Sequence, residues 1–332
     1  MKVLILGGGG NIGFWVENLL IEDGHYVYSI QRGINKVKRI HLEDKKNFFI
    51  IREDINQLSE ASRSLINECE LIIDFICFNS FTANERLRLF SNFSGLIIMV
   101  STVAVYDRSR GINKLSSGSS CENVQWPYAK NKLEAEKVLL AGIKPGQIKI
   151  CRLGHTFDTI LPVPFGTGDW TFIQWLLDGN SLMLIRDSDS FWPLLHSRDA
   201  ARRILLLSTE PQEFKNVTNI VNSQTRSWLE IGRAIFSGLG IPERFRKLDL
   251  EILRTFLPYW SDSVTFHKKF DEIYVGEEID KFAKFESTDW SLEKGLEISL
   301  DFYLAQESSQ LVNHFDYEQF SLLAKKSPIL KV

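Results

Sequence analysis

The sequence predicts an α/β protein built on a doubly wound parallel sheet, with a smaller C-terminal α+β domain appended. Three observations lead there. Short, wholly apolar runs alternate with helical patterns through the first half of the 332 residues. Four consecutive glycines, Gly7 to Gly10, stand where the first apolar run gives way to a helix. After about Arg152 the alternation yields to a segment dense in proline and aromatic residues, including "LPVPFGTGDWTFIQW" and "SFWPLLH". Strands that are apolar throughout belong to parallel sheets covered on both faces. Right-handed crossovers then wind such a sheet in two directions.

Each element has its own signal. "KVLILG" is a short strand rich in β-branched and aliphatic residues, and Asn11 to Glu22 follows as a helix. "YVYSIQ" and "FFIIREDI" are the second and third strands. A helical stretch around Ala61 to Asn67 leads to a fourth, "LIIDFICF", and a helix carrying Glu85 to Phe90 leads to a fifth, "GLIIMVST". A helix from about Tyr128 to Ala141 precedes the sixth, "IKICRLG". Beyond it, helical patterns at Arg198 to Ser208 and Trp228 to Leu239 flank the strand-like "NVTNIVN". The last twenty residues read as an amphipathic helix and a frayed tail. The expected division is residues 1–158 for the sheet domain and 159–332 mainly for the second, with about 196–222 returning to the first.

Composition excludes several classes. The net charge is −3 and no Lys/Arg block is long enough for a nucleic-acid stripe. "KVKRIHLEDKK" is interrupted by acids and reads as a solvated face. No apolar stretch approaches membrane-spanning length, and no signal-peptide pattern is present. Cys69, Cys77, Cys121 and Cys151 show neither paired spacing nor His/Cys ligand spacing, so a reducing cytoplasm and no metal site are expected. The polar loop "DRSRGINKLSSGSSCENVQ" has a length typical of functional or mobile segments.

Gly7, Gly10 and Gly13 form G-x-x-G-x-x-G between a strand and a helix, with Asn11 and Ile12 in the first helical turn. In that context the chain must turn sharply, its backbone can approach a diphosphate, and the helix N-terminus faces the negative charge. A side chain at Gly10 would stand between peptide and phosphate, and Gly13 would let the helix pack closely on the sheet. A glycine-rich turn without ligand is the alternative. The second strand of such a Rossmann-type domain ends in an acid when NAD is preferred. Here Gln31 and Arg32 stand there, so nothing repels a 2′-phosphate and a guanidinium can grip one. NADP is therefore expected over NAD. Asp54 is placed to accept from the adenine amino group, and Ile55 and Phe75 complete the expected cofactor set.

Tyr128 and Lys132 are four apart and share one helical face. A phenol titrates near ~10, and a neighbouring ammonium favours its phenolate. Thr102, at the end of the fifth strand, could orient a substrate oxygen toward it, giving the proton relay that hydride transfer requires.

The combination resembles the extended short-chain dehydrogenase/reductase family, the NAD(P)-dependent nucleotide-sugar epimerases, dehydratases and reductases. "GGGGNIG", "STVAVYD" and "PYAKNKLEAE" match its glycine loop, hydroxyl segment and catalytic helix, and "CRLGHTFD" and "LLHSRDAAR" look like its later segments. The resemblance implies that Tyr128 is the acid/base, that Lys132 holds the nicotinamide ribose and lowers the tyrosine's pKa, and that Thr102 is the catalytic hydroxyl. Asp107, Leu153 and His155 depart from the pattern on the substrate side. Thr102, His155 and Arg186 are the expected substrate contacts. Arg198 is a weaker diphosphate candidate, His196 a capping or packing residue, and Trp170, Trp175 and Trp192 core of the smaller domain. The expected partner is a small-molecule substrate, a nucleotide-sugar, with a homodimer left open. Epimerisation and reduction stay undivided. Dehydration is disfavoured because no Asp-Glu pair follows the threonine. Competing readings are an NADP-dependent reductase of a non-nucleotide carbonyl compound and a non-catalytic dinucleotide-sensing regulator. The intact Thr-Tyr-Lys set argues against the regulator.

Overall fold

Seven parallel strands form the central sheet of this computed structural model, which describes residues 1–33, 44–108, 114–122, 124–186, 188–276, 281–282, 289–305 and 311–330. Most of "KVKRIHLEDKK" and residues 109–113 and 123 of the polar loop lie outside the described residues. The first half runs β1 (Lys2–Leu6), α1 (Asn11–Glu22), β2 (Tyr26–Ile30), β3 (Phe48–Ile51), α2 (Glu60–Glu68), β4 (Leu71–Asp74), α3 (Ser80–Leu89), β5 (Leu96–Thr102), β6 (Lys114–Leu115), α4 (Pro127–Gly142) and β7 (Ile148–Leu153). There follow β8 (His155–Phe157), α5 (Trp170–Leu177), β9 (Leu182–Ile185), β10 (Phe191–Trp192), β11 (Leu194–His196), α6 (Ser197–Thr209), β12 (Val217–Ile220), β13 (Arg226–Ser227) and α7 (Trp228–Leu239). The chain ends with β14 (Phe245–Leu248), α8 (Leu250–Phe256), α9 (Pro258–Ser263), a π-helical turn (Val264–Lys268), β15 (Ile273–Tyr274), α10 (Leu292–Leu304), α11 (His314–Lys325) and β16 (Ile329–Leu330).

The sheet order is β3-β2-β1-β4-β5-β7-β12, with every pairing parallel. Alternate residues of one strand feed opposite layers. Val3 and Ile5 join Val16 and Leu20 of α1 and Ala200 and Ile204 of α6, while Leu4 and Leu6 join Ile66 of α2. Met99 and Ile150 meet Ala83 of α3 and Ala135 of α4 on that second face. Both layers bury apolar rows, which is why the strands read as continuous apolar runs.

Local signals set most boundaries. Asn79 and Thr82 cap α3 reciprocally, and Ser227 and Glu230 do the same for α7, which Gly240 ends at φ 65°. β4 is shorter than "LIIDFICF" suggests. Asp74 accepts from the Ile76 amide at 2.8 Å and holds the buried Arg86 guanidinium at 2.7 Å, turning the chain away from the sheet. A second apolar core gathers Trp170, Trp175, Trp192 and Trp228 around the sheet β9-β14-β16. The tail is not frayed as expected: β16 pairs antiparallel with β14. Among the described residues no helix is long and apolar enough to cross a membrane.

Candidate cofactor cleft and active site

A cleft of about 400 Å³ opens at the C-terminal ends of the strands, where the order reverses between β1 and β4. Open α/β sheets place ligands at this switch point. Gly7 and Gly10 line it from the loop after β1, Gln31 and Arg32 from the end of β2, and Asp54 and Ile55 from the loop after β3.

The glycines there have different reasons. Gly7 has φ 80°, and a Cβ on it would lie 2.4 Å from Ile76 Cγ2. A Cβ on Gly13 would come within 2.3 Å of the Gly8 carbonyl oxygen, which is backbone and cannot yield. Its constraint is thus close approach to the loop rather than to the sheet. Gly10 caps α1 at φ −86°, which any residue adopts, and a Cβ there would meet nothing within 4 Å. The protein's own packing does not demand glycine at that position. Open space before an uncapped helix start fits a dinucleotide diphosphate. Asn11 Oδ1 accepts from Thr159 Oγ1 at 2.7 Å, fixing the first turn that also holds Ile12.

At the far end of the cleft, the Gln31 amide donates to Ile51 O at 3.0 Å and Arg32 is exposed. Arg52 lies against Gly33, its Nη1 2.5 Å from where a Cβ would sit. Two guanidinium groups therefore flank the end of β2, which bears no acid. Asp54 Oδ1 accepts from the Asn56 amide at 2.9 Å. Phe75 packs against the core layer of α1 and α6. The aromatic ring on the cleft wall is Phe78, 47% exposed, three residues later, beside Thr82 and Arg86.

The three residues expected to handle the proton lie along the seam between β5 and α4. Thr102 ends β5, and its Oγ1 accepts from the Ala104 amide at 3.2 Å, capping a short 3-10 turn. Tyr128, 42% exposed, packs on Trp126 with ring centroids 5.0 Å apart. Desolvation still pushes its phenol above the usual 10. One turn on, the buried Lys132 Nζ donates to Cys77 O and Val100 O, each at 2.9 Å, beneath the Phe78 ring at 4.6 Å. Burial lowers its pKa from 10.5, with Asp74 and Glu136 acting the other way. Lys132 thus bridges the ends of β4 and β5, and Phe78 connects it to the cleft.

Behind this seam is a buried network that the sequence reading missed. Ser101 Oγ donates to Glu136 Oε1, and Arg152 grips the same carboxylate, with Nη2 at 2.6 Å. Arg152 also lies over the Tyr106 ring at 4.9 Å, and the Tyr106 hydroxyl donates to Asn219 Oδ1 at 2.5 Å. Its signals were present: Glu136 follows Lys132 by four residues on the Tyr128 face, and Arg152 interrupts an apolar strand.

On the other side of the seam, His155 meets Trp192 and Trp228 edge-on, with centroids 5.7 and 5.9 Å away. Burial, then the charges of Lys268 and His267, drive its pKa well below 6.5, so the ring is neutral. Arg186 pairs with Asp249 and does not line the cleft. His196 caps α6 by accepting from the Arg198 amide at 3.1 Å. Arg198 pairs with Asp199 and lies over Trp290. Among the described residues no group of His, Cys, Asp and Glu is arranged to hold a metal ion.

Residues 3–221 match the sequence model of the NAD dependent epimerase/dehydratase family. The fold is similar to that of dTDP-glucose 4,6-dehydratase from Bacillus anthracis in complex with NAD, at 17% identity and TM-score 0.72, covering 92% of this chain and 97% of that one. It is similar to UDP-glucuronic acid 4-epimerase from Bacillus cereus in complex with NAD, at 18% identity and TM-score 0.71, covering 93% and 99%. UDP-glucose 4-epimerase from Thermotoga maritima, solved with UDP-glucose, gives 16% identity and TM-score 0.69, covering 92% and 99%. No curated protein sequence matches.

Proposed function

The chain belongs to the NAD dependent epimerase/dehydratase family, and from this premise we propose that it takes NADP in preference to NAD and acts on a carbinol or carbonyl carbon of a nucleotide-sugar. The observation that supports the reading is the glycine loop, which leaves room for a diphosphate, in a cleft whose Phe78 ring covers Lys132. Thr102 and Tyr128 stand on the neighbouring β5 and α4, off the cleft's lining. When bound, the nicotinamide supplies hydride chemistry. The chain's own residues supply the rest. Gly7 and Gly10 let the backbone approach the diphosphate. Arg32 and Arg52 favour a 2′-phosphate. Tyr128, with its phenol pushed upward, carries a proton at neutral pH and gives it to a substrate oxygen. Lys132 supplies the nearby positive charge that stabilises the phenolate left behind. The Thr102 hydroxyl orients that oxygen. Val103 and Ala104, where an acidic pair would serve dehydration, favour epimerisation or reduction.

The test uses purified protein with NADPH or NADH for binding, and with UDP-glucose or UDP-glucuronic acid and the oxidised NADP+ or NAD+ for turnover, because the carbinol carbons of these sugars give up hydride. We expect tighter binding of NADPH and measurable turnover. Tyr128→Phe should cut turnover at least ~100-fold and leave dinucleotide affinity unchanged. A variant as active as the wild type would remove Tyr128 from the chemistry. Net formation of NADPH or NADH marks one-way hydride transfer, the reductase chemistry run in reverse, and turnover with the absorbance unchanged marks an epimerase.

A further inference from the structure

One layer of backbone beneath the glycine loop lies a carboxyl that the chemistry above does not use. Glu17, on α1, is 3% exposed. Its Oε1 would stand 1.7 Å from a Cβ built on Gly8, so this carboxyl fills the space that Gly8 leaves. A Cβ on Gly10, which lines the cleft, would meet nothing within 4 Å. The loop therefore has Glu17 on its inner face and the diphosphate seat on its outer face, about 5 Å apart if one peptide layer is as thick as a strand spacing.

Among the described residues no basic side chain pairs with Glu17. The Oγ of Ser29 on β2 borders the same space, 2.7 Å from a Cβ built on Gly8, and is a hydroxyl neighbour of the carboxyl. β1 presents apolar side chains to this layer. Arg32, beyond β2, is exposed. On α6, Arg198 and Arg202 pair with Asp199, and Arg203 with Asp289. Burial raises the Glu17 carboxyl from 4.5 to about 7, with the Ser29 hydroxyl acting the other way.

We propose that Glu17 is a further determinant of dinucleotide affinity: as a neutral acid it leaves the loop free to take the diphosphate, and as a carboxylate it opposes that dianion across the loop. This rests on the dinucleotide reading above. A like charge so close, screened by little water, also offsets the favourable end of the α1 dipole.

The experiment is titration of the full chain with NADH, which has no group titrating between pH 6 and 8.5, at constant ionic strength. Affinity should fall about tenfold across that range, with a midpoint near 7. Glu17→Gln should bind at every pH as the wild type does at pH 6. Ser29→Ala, lacking the hydroxyl that favours ionisation, should move the midpoint upward, and it gives a reading even if Glu17→Gln does not fold. A flat wild-type profile, the wild-type fall retained in Glu17→Gln, or an unmoved midpoint in Ser29→Ala would each overturn the proposal. Absence of NADH binding at every pH would overturn the dinucleotide reading itself, a different result from pH-independent binding.

Discussion

Phe75 and Phe78 show how much a few residues' displacement changes a side chain's work. Both follow an apolar run, and sequence alone favours the first for the cofactor. β4 ends at Asp74, which is paired with the buried Arg86 twelve residues on, and Phe78, beyond that end, lines the cleft beside Arg86. Such a side-chain clamp leaves no periodic trace. Phe78→Ala should weaken dinucleotide binding with little change in stability. Phe75→Ala should cost about 2 kcal/mol in urea denaturation and leave affinity intact. The opposite pattern would assign the wall to Phe75. The glycines were legible because strand, turn and helix were all visible around them, although Gly13 answers to the Gly8 carbonyl rather than to the sheet.

α4 reaches its position through charge as much as through apolar packing. Its buried residues include Lys132 and Glu136, and the Glu136 carboxylate ties it to Ser101 at the end of β5 and to Arg152 on β7. Glu136→Ala would leave Arg152 buried and unpaired. That change should cost about 3–5 kcal/mol by urea denaturation and lower turnover by loosening α4, which carries Tyr128, against β5. Glu136→Gln, keeping a hydrogen-bond acceptor, should recover part of both. The bounds of α1 and α7 match the sequence reading to the residue because their start and stop signals are local. β16 escaped that reading because its partner, β14, lies some eighty residues upstream and the pair is only two residues long.

The whole molecule has two apolar cores, and β12 carries the chain from the second region back to the edge of the central sheet beside β7. A buried ionic group, Arg108, Glu272, His267 and Tyr274, joins the segment after β5 to the turn before β15. Burial alone would raise the Glu272 carboxyl, but Arg108 and then His267 hold it at about 2. The stability it contributes is present above its unfolded value and lost as pH falls toward 2. Glu17 has the opposite sign. Its raised carboxyl costs stability progressively as pH rises from 4.5 to about 7, by about 3 kcal/mol from the size of that shift. Thermal denaturation should therefore find the wild type most stable near the bottom of that window, and Glu17→Gln should hold its stability through neutral pH. The central claim, that the loop between β1 and α1 seats a dinucleotide's diphosphate, is tested most directly by Gly10→Asp. The backbone there suits any residue, a Cβ meets nothing, and aspartate is a favourable helix cap, so the melting temperature should hold or rise. Binding of NADPH and NADH should nevertheless weaken at least ~100-fold, because a carboxylate would occupy the phosphate's place. A well-folded Gly10→Asp protein that binds either nucleotide as tightly as the wild type would contradict the account.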